Sequence, residues 1–240
     1  SKTYDDYKSS TPSMMDFPLQ TALIKAVKDK ESWDSGIGDI YRVIANDFLY
    51  GNPYNLVVFG DNHDMQRIYS QLNHDFGLFK MAMSIILTTR GIPQIYYGTE
   101  IILKSTGDHG ELRKDFPGGW EGDRVNAFTR KSLSKEQSEA QIFLKNLLNW
   151  RKNSLPIAKG RLIHYPPKDG VYVYFRSHSD ELVMVLVNNN SEPVSVDLKR
   201  FYEVLDKRKQ ARSVISSLDY DLREKISIKE KTALILDIIF

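Results

Sequence analysis

A polar cluster that follows an apolar run is the part of this sequence best suited to chemistry. Residues 57–64 read VVFGDNHD, so Asp61, Asn62, His63 and Asp64 come directly after the run and one glycine. Two carboxylates, an amide and an imidazole would be costly to bury inside a sheet. At the C-terminal end of a parallel strand, however, they would open into a loop-built pocket, where parallel α/β enzymes place their polar groups. A solvated loop with an Asx turn is the alternative that the spacing leaves open.

A metal-dependent hydrolase using Asp61, His63 and His74 is a second interpretation of the same cluster. Imidazole and carboxylate groups, including that of Asp64, suit several divalent ions. The sequence has no H-E-x-x-H pair, and adjacent residues at a strand end point to different sides, so we predict no metal site. No motif supports a serine hydrolase or a nucleotide-binding protein. The sequence contains no G-x-S-x-G, G-x-x-x-x-G-K-[ST] or G-x-G-x-x-G motif.

The composition narrows the classes of partner. The 240 residues include 33 Lys and Arg against 31 Asp and Glu, which gives a formal net charge of +2. A dedicated nucleic-acid binder would carry clustered cations, so we predict a neutral partner and no nucleic acid. The most apolar stretch, Met81–Leu87, is far shorter than the ~20 residues that cross a bilayer, so we also predict no membrane partner. The lack of cysteine excludes disulfides but does not choose a compartment.

The cluster needs a parallel strand to position it. From Met14 to Trp150 the sequence alternates short apolar runs with helical periodicity, which is typical of strand-helix-strand units. We predict strands at Leu56–Phe59 and Ile92–Tyr97 with a helix at Leu78–Arg90 between them. Because a helix and more than thirty residues separate the two strands, a parallel crossover is expected rather than a hairpin.

Further elements have weaker signals. Pro12–Phe17 is a weaker strand candidate, and Pro18–Val27 and Ile40–Phe48 have helical spacing of apolar residues. Ser134–Gln137 is a capping-box pattern at the start of a helix that should end before Pro156. Before that helix lies a glycine-rich excursion, residues 103–132. Loops of such length inside compact domains are usually functional.

The sequence after Pro156 changes to runs with a period of two. These runs are typical of antiparallel strands, and turn residues such as Asp169–Gly170 separate them. We therefore predict a separate antiparallel β-sandwich domain at residues 156–240. The predicted strands are Val171–Arg176, Leu182–Val187, Val194–Leu198 and Leu234–Ile238.

Four motifs resemble one enzyme family. Residues 59–64 (FGDNHD) look like the fourth signature region of the α-amylase family, glycoside hydrolase family 13, and residues 91–100 (GIPQIYYGTE) look like its eighth barrel strand. Two such motifs in this order, separated by one helix, are highly specific. The segments at residues 15–19 (MDFPL) and 115–120 (DFPGGW) resemble segments of neopullulanases and cyclomaltodextrinases of starch-utilisation systems. The resemblance covers essentially the whole chain.

This resemblance implies an α/β fold, namely the C-terminal part of a (β/α)₈ TIM barrel followed by an antiparallel β-sandwich. Residues 1–155 would supply about strands 6 to 8 of the catalytic barrel, and residues 156–240 would form the β-sandwich. Asp64 takes the position of the family's third catalytic carboxylate, which stabilises the transition state. His63 takes that of an imidazole that bonds the sugar at the cleavage site, and Asn62 and Arg67 would be subsite groups beside them.

Aromatic residues of the excursion are further candidates for the site. Trp120 and Phe116 are suited to stacking on a glucose ring. An aromatic side chain in a loop can equally pack against the residues of that loop. Tyr96 and Tyr97 lie in an apolar strand, where tyrosines more often pack than bind sugar. His109 is expected to be an exposed loop residue.

The resemblance implies a retaining α-glucan hydrolase whose nucleophile and general acid are absent from this sequence. Retaining hydrolysis needs two facing carboxyl groups ~5 Å apart, and one strand-end Asp cannot supply both. We therefore expect a fragment of an amylase-type enzyme that acts on starch-derived oligosaccharides and is inactive alone. A non-catalytic carbohydrate-binding or scaffold module is the alternative. No cofactor is identified, and calcium binding by the parent enzyme is left open.

The resemblance also implies a periplasmic or extracellular location. A partial parallel sheet leaves a strand edge unpaired and an apolar face uncovered, which natural proteins avoid. We therefore expect self-association or pairing with an N-terminal barrel half.

Overall fold

Three parallel backbone segments form the sheet that carries the polar cluster in the computed structural model, which describes residues 13–32, 35–105 and 107–239. Strand β1, Val57–Phe59, pairs in parallel with β2, Ile92–Gln94. On the other side of β1, Met15 forms a parallel bridge with Val57. The predicted parallel arrangement is thus confirmed. The predicted strand Pro12–Phe17 is reduced to this bridge, and Pro12 lies outside the described residues.

Seven helices accompany this sheet in the described part of residues 13–160. Asp16 begins α1, because its carboxylate accepts the backbone N–H of Leu19 at 3.0 Å. Ser134 begins α6, where the predicted capping box with Gln137 is confirmed in both directions. The helices are α1 (Phe17–Lys28), α2 (Gly38–Ala45), α3 (Ile68–Gln71), α4 (Phe76–Thr88), α5 (His109–Leu112), α6 (Lys135–Asn153) and α7 (Leu155–Lys159).

Several element ends differ from the prediction for local reasons. The strand predicted to reach Tyr97 ends at Gln94, because the chain turns towards Gly98, whose φ of +85° suits glycine. Helix α4 ends at Thr88 rather than Arg90, whose side chain forms a buried ion pair instead. The helix predicted at Ile40–Phe48 ends at Ala45 and continues as a 3₁₀ turn, Asp47–Leu49. No helix among the described residues is long and apolar enough to cross a membrane.

The second part is antiparallel, as predicted. Six strands pair in the order β3-β4-β5-β10-β7-β8, and β6 pairs with β9 in a two-stranded sheet. The strands predicted from sequence are all present, whereas four more were missed because they are short or interrupted by Pro166 and Pro167. The elements are β3 (Arg161–Lys168), β4 (Val171–His178), β5 (Glu181–Asn188), β6 (Val194–Asp197), α8 (Tyr202–Leu205), β7 (Gln210–Ser213), β8 (Asp219–Asp221), β9 (Lys225–Ile228) and β10 (Thr232–Ile239).

The larger sheet separates two hydrophobic cores. On one face, residues such as Tyr174 and Val185 pack into the core that contains α4 and α6. On the other face, residues such as Phe175 and Met184 pack with Phe201 and the β6–β9 sheet. Successive side chains of a strand point to opposite faces, so β4 and β5 are apolar at nearly every position.

Arg176 joins the two parts at their boundary. Its buried guanidinium donates hydrogen bonds to the carbonyls of Thr88 (3.1 Å), Thr89 (2.5 Å), Ile157 (2.9 Å) and Gly160 (2.9 Å). These carbonyls belong to the C-terminal ends of α4 and α7 and to the residues that follow directly, whereas Arg176 belongs to β4. The domain boundary at 155/156 stays a prediction. In the structure, α7 occupies residues 155–159, and the sheet begins at Arg161.

Candidate active site

The loop after β1 carries the predicted site residues, and Gly60 fixes where it leaves the strand. A Cβ atom at this position would lie 2.4 Å from Cδ1 of Ile68 and 3.2 Å from Cδ1 of Ile86. Any larger residue here would have to displace the Ile68 side chain, so glycine lets the loop 61–67 pack this closely on α3 and α4. The polar cluster lies at the C-terminal end of a parallel strand, as predicted from the sequence.

Asp61 is the buried anchor of this loop. Its Oδ2 accepts the backbone N–H of Ile68 at 2.8 Å, and its Oδ1 accepts the hydroxyl of Thr99 at 3.0 Å. The carboxylate thus ties the loop after β1 to the segment after β2. Burial raises the pKa of Asp61 to about 6, although the hydrogen bonds from Ile68 and Thr99 oppose the shift.

This raised pKa predicts a pH-dependent stability. Asp61 titrates at about 6 when folded and near 3.8 when unfolded, so its contribution is fully present below the lower value and is lost as pH rises through about 6. Relative to Asp61→Asn, which does not titrate, the free energy of unfolding should fall by about 2 kcal/mol between pH 4 and pH 8. Urea denaturation of both proteins across this range measures the difference. A difference that is constant with pH would contradict the prediction.

Asn62 shapes the turn that presents Asp64. Its buried Oδ1 accepts the backbone N–H of Asp64 at 2.8 Å, which is an Asx turn. The Asx turn that the sequence left as an alternative is therefore present, and it occurs at the end of a parallel strand rather than instead of one.

Asp64 is the accessible carboxylate of the loop. Its side chain is 61% exposed and that of His63 is 60% exposed. His63 Nε2 lies 3.1 Å from one carboxylate oxygen, Oδ2, and Arg113 Nη2 donates a hydrogen bond of 2.9 Å to the other. This arrangement gives a carboxylate that is open to a ligand and flanked by two side-chain nitrogens, of which Arg113 Nη2 donates a hydrogen bond.

Arg67 is buried beside the loop rather than open to solvent. Its guanidinium donates hydrogen bonds to the carbonyls of Tyr97 and Leu112, the latter at 2.8 Å. It also lies 4.2 Å from the ring centroid of Tyr96 and 4.8 Å from that of Tyr97. Since the whole residue is only 1% exposed, it holds neighbouring segments together here, and its contact with a substrate stays a prediction.

The two aromatic candidates lie on the excursion. Asp123 organises this turn, because its Oδ2 accepts the backbone N–H of Gly118 at 2.7 Å and that of Trp120 at 3.2 Å. The Trp120 residue is 68% exposed. Phe116 is half-buried and packs edge to face on Phe128, with ring centroids 5.0 Å apart. Phe128 is exposed and was not among the predicted site residues.

The ligands named for a metal-dependent hydrolase have other partners. Asp61 is bonded to Ile68 and Thr99, and His74 Nε2 lies 3.3 Å from the Ser70 hydroxyl. His63 lies instead beside Asp64. Across residues 13–32, 35–105 and 107–239, no three carboxylate or histidine groups come together as a metal site.

Arg113 is the site residue that sequence reasoning missed, whereas Tyr97 was noted. Arg113 belongs to no recognised motif, and it meets Asp64 only through the folded excursion. Tyr97 lies within the GIPQIYYGTE motif, where it was expected to pack with its hydroxyl on a partner; its ring lies against Arg67, and its hydroxyl donates to the carbonyl of Lys114 at 2.7 Å. The motif was therefore the signal for Tyr97, while the sequence carried none for Arg113.

Two family models match the chain. One, described as alpha amylase, catalytic domain, matches residues 2–153, and the other, described as cyclo-malto-dextrinase C-terminal domain, matches residues 162–237. Among curated relatives, cyclomaltodextrin glucanotransferase of Bacillus sp. (strain 6.6.3) is 31% identical over 80% of this chain and 24% of its own length. Alpha-amylase of Niallia circulans is 27% identical over 74% of this chain and 30% of its own length.

Solved structures agree with these matches. The alpha-amylase from Geobacillus thermoleovorans, complexed with acarbose, has a TM-score of 0.79 and 25% identity, and the match covers 99% of this chain and 50% of that one. The structure of AmyP in complex with maltose has a TM-score of 0.76 at 17% identity and covers 95% and 50% of the two chains. The chain thus spans about half the length of these solved proteins and about a quarter of the curated relatives it matches.

Proposed function

Because this chain belongs to the α-amylase family, we propose that it supplies Asp64 as the transition-state-stabilising carboxylate of a retaining α-glucan hydrolase. The observation that carries the proposal is the position of Asp64. It lies just beyond a parallel strand and is open to solvent, and each of its oxygens has a side-chain nitrogen beside it. Such a carboxylate can accept sugar hydroxyl groups and stabilise positive charge that develops on the sugar ring.

The proposed reaction needs two further carboxyl groups. In retaining hydrolysis a nucleophile attacks the sugar while a general acid protonates the leaving oxygen, and the two groups face each other ~5 Å apart. We propose that both come from polypeptide outside this sequence, with which residues 1–155 complete a (β/α)₈ barrel. On this proposal the chain alone releases no sugar.

The proposed substrates are starch-derived oligosaccharides. Support comes from the names of the relatives, which include cyclomaltodextrin glucanotransferases and an alpha-amylase, and from the acarbose and maltose present in two solved relatives. The C-terminal match to a cyclo-malto-dextrinase domain supports a neopullulanase or cyclomaltodextrinase type. The near-zero net charge suits an uncharged sugar.

A carbohydrate-binding role without catalysis is the second candidate, and the exposed aromatics favour it. Trp120, on the turn that Asp123 organises, is 68% exposed, and Phe128, whose backbone N–H donates to Asn126 Oδ1, is 71% exposed. Exposed aromatic faces can stack on sugar rings. Isothermal titration of this chain with maltoheptaose measures such binding. Binding without turnover by the longest polypeptide that contains this sequence would favour the second candidate over the first.

The test of the first candidate is an assay with two proteins. The longest encoded polypeptide that contains this sequence should hydrolyse maltoheptaose, and proton NMR should show the α-anomer as the first product because the mechanism retains configuration. Residues 1–240 alone, assayed at the same concentration, should release no glucose or maltose. Sugar release by the short chain, or a β-anomer as first product, would contradict the proposed mechanism.

Assembly and location belong to the same proposal. Ile92 in β2 is 49% exposed, and β2 pairs only with β1 within the described residues. We propose that this edge pairs with the rest of the barrel or with a second copy. A monomer in light scattering at high concentration, unchanged when the upstream polypeptide is added, would contradict that pairing.

We propose a periplasmic or extracellular location, because the motifs resemble those of starch-utilisation enzymes. Cell fractionation followed by immunoblotting tests this location.

A further inference from the structure

The contact between Arg113 and Asp64 joins the long excursion to the proposed catalytic loop. Arg113 Nη2 donates to Asp64 Oδ1 at 2.9 Å, while His63 Nε2 lies 3.1 Å from Oδ2. Both partners of the Arg113 ion pair are substantially exposed. An isolated pair of this kind is weak, because solvent screens the charges and two long side chains must be ordered. This pair differs from an ordinary surface contact if the residues around Arg113 hold it in place before it binds Asp64.

The backbone on both sides of Arg113 is held in place. The carbonyl of the preceding residue, Leu112, accepts hydrogen bonds from Arg67 Nη2 at 2.8 Å and from the Tyr96 hydroxyl at 3.4 Å. The carbonyl of the following residue, Lys114, accepts the Tyr97 hydroxyl at 2.7 Å. We call these three donors, Arg67, Tyr96 and Tyr97, the carbonyl clamp.

The carbonyl clamp is itself anchored near the loop that carries Asp64. The backbone N–H of Arg67 donates to the Ser105 hydroxyl at 3.0 Å, and its guanidinium faces both tyrosine rings while it also bonds the Tyr97 carbonyl. Arg67 lies three positions after Asp64 in the chain. The groups that fix the backbone of Arg113 are therefore part of the same packed unit as the carboxylate that Arg113 reaches. The entropy cost of ordering the backbone of Arg113 is already met by this unit, which leaves only that of its side chain.

We propose that Arg113 is a positioning residue that orients the Asp64 carboxylate for sugar hydroxyl groups. A carboxylate has about four lone-pair sites; Arg113 occupies one on Oδ1, while His63 Nε2 lies 3.1 Å from Oδ2. The remaining sites stay open, and the hydrogen bond from Arg113 fixes the directions in which they point. The excursion thereby becomes necessary for catalysis, because it delivers the guanidinium. This inference rests on the proposed function of Asp64.

The test compares arginine variants in the longest encoded polypeptide that contains this sequence. Arg113→Ala should lower kcat/KM for maltoheptaose by about 10²-fold, mostly in kcat, because a small misplacement of a catalytic group has an effect of that size. Arg124→Ala removes an exposed arginine further along the same excursion and is the matched control. Tyr97→Phe removes the bond to the Lys114 carbonyl and should cause a smaller loss of kcat.

Two readouts separate positioning from a merely structural role. Added guanidinium ion at millimolar concentration should restore part of the kcat of Arg113→Ala, whereas the same concentration of sodium chloride should not. Arg113→Lys should recover part of the activity, because it keeps the charge but loses the planar fork. If neither the guanidinium ion nor lysine recovers any activity, the side chain acts through packing, and the proposal is overturned.

An Asp64→Asn arm distinguishes failure of this inference from failure of the proposed function. If Asp64→Asn is inactive while Arg113→Ala matches Arg124→Ala in kcat/KM, only the role of Arg113 is overturned. If Asp64→Asn keeps full activity, the proposed function fails and this inference fails with it. The expected result is that Arg113→Ala causes no further loss of kcat in the Asp64→Asn background.

Discussion

Replacing Asp64 by asparagine is expected to lower kcat of the complete enzyme on maltoheptaose by about 10³-fold. Asparagine keeps the size of the side chain but removes the negative charge that, on the proposed function, stabilises positive charge on the sugar ring in the transition state. The side chain is 61% exposed, so the substitution should leave the free energy of unfolding nearly unchanged. A loss of kcat with a preserved thermal midpoint is the expected combination.

The matched control for Asp64→Asn is Asp180→Asn. Asp180 is exposed in the turn between β4 and β5, far along the chain from the loop after β1. The control removes one exposed carboxylate, as the test variant does, and should keep the wild-type kcat. Steady-state kinetics with reducing-sugar detection measures both. Equal kcat values for the two variants would remove Asp64 from the proposed reaction.

Replacing Arg90 by methionine is expected to destabilise the chain by about 3–5 kcal/mol, because it leaves buried carboxylates without a counter-charge. Arg90 Nη1 lies 2.5 Å from Asp16 Oδ2, and Nε and Nη2 bond both oxygens of Asp47 at 2.8 and 2.6 Å. Burial would lower the pKa of Arg90, but its hydrogen bonds and the charges of both aspartates outweigh burial and raise it. Asp16 follows Met15, which pairs with β1 on the side opposite β2. The network therefore holds this backbone segment against β1.

Arg42→Met is the matched control for Arg90→Met. Arg42 also pairs with an aspartate, Asp39, but the arginine is half exposed, so its loss should change stability by about 1 kcal/mol or less. Arg90→Lys keeps the charge and should fall between the two, which preserves the comparison if Arg90→Met does not fold. Urea denaturation followed by circular dichroism gives the three values. Similar losses for Arg90→Met and Arg42→Met would show that the buried network contributes nothing special.

The sequence was sufficient to predict the elements that depend on residues close to one another in the chain. The capping box at Ser134 and the apolar run before the DNHD cluster involve residues that are close in the chain, and both were predicted correctly. The short strands β7, β8 and β9 were missed, since three or four residues carry too little alternation to be recognised. Tertiary pairing with neighbouring strands stabilises them instead.

By itself, the sequence determined the parallel order of β1 and β2, the antiparallel second part and the family that its motifs resemble. Only the tertiary structure decided how the polar cluster is divided, with Asp61 buried as an anchor, Asn62 in an Asx turn and Asp64 exposed. It also brought Arg113 to Asp64 across 49 positions of the chain. The physical reason is that periodicity and capping depend on neighbours in sequence, whereas burial and charge pairing depend on which distant segments meet in the folded protein.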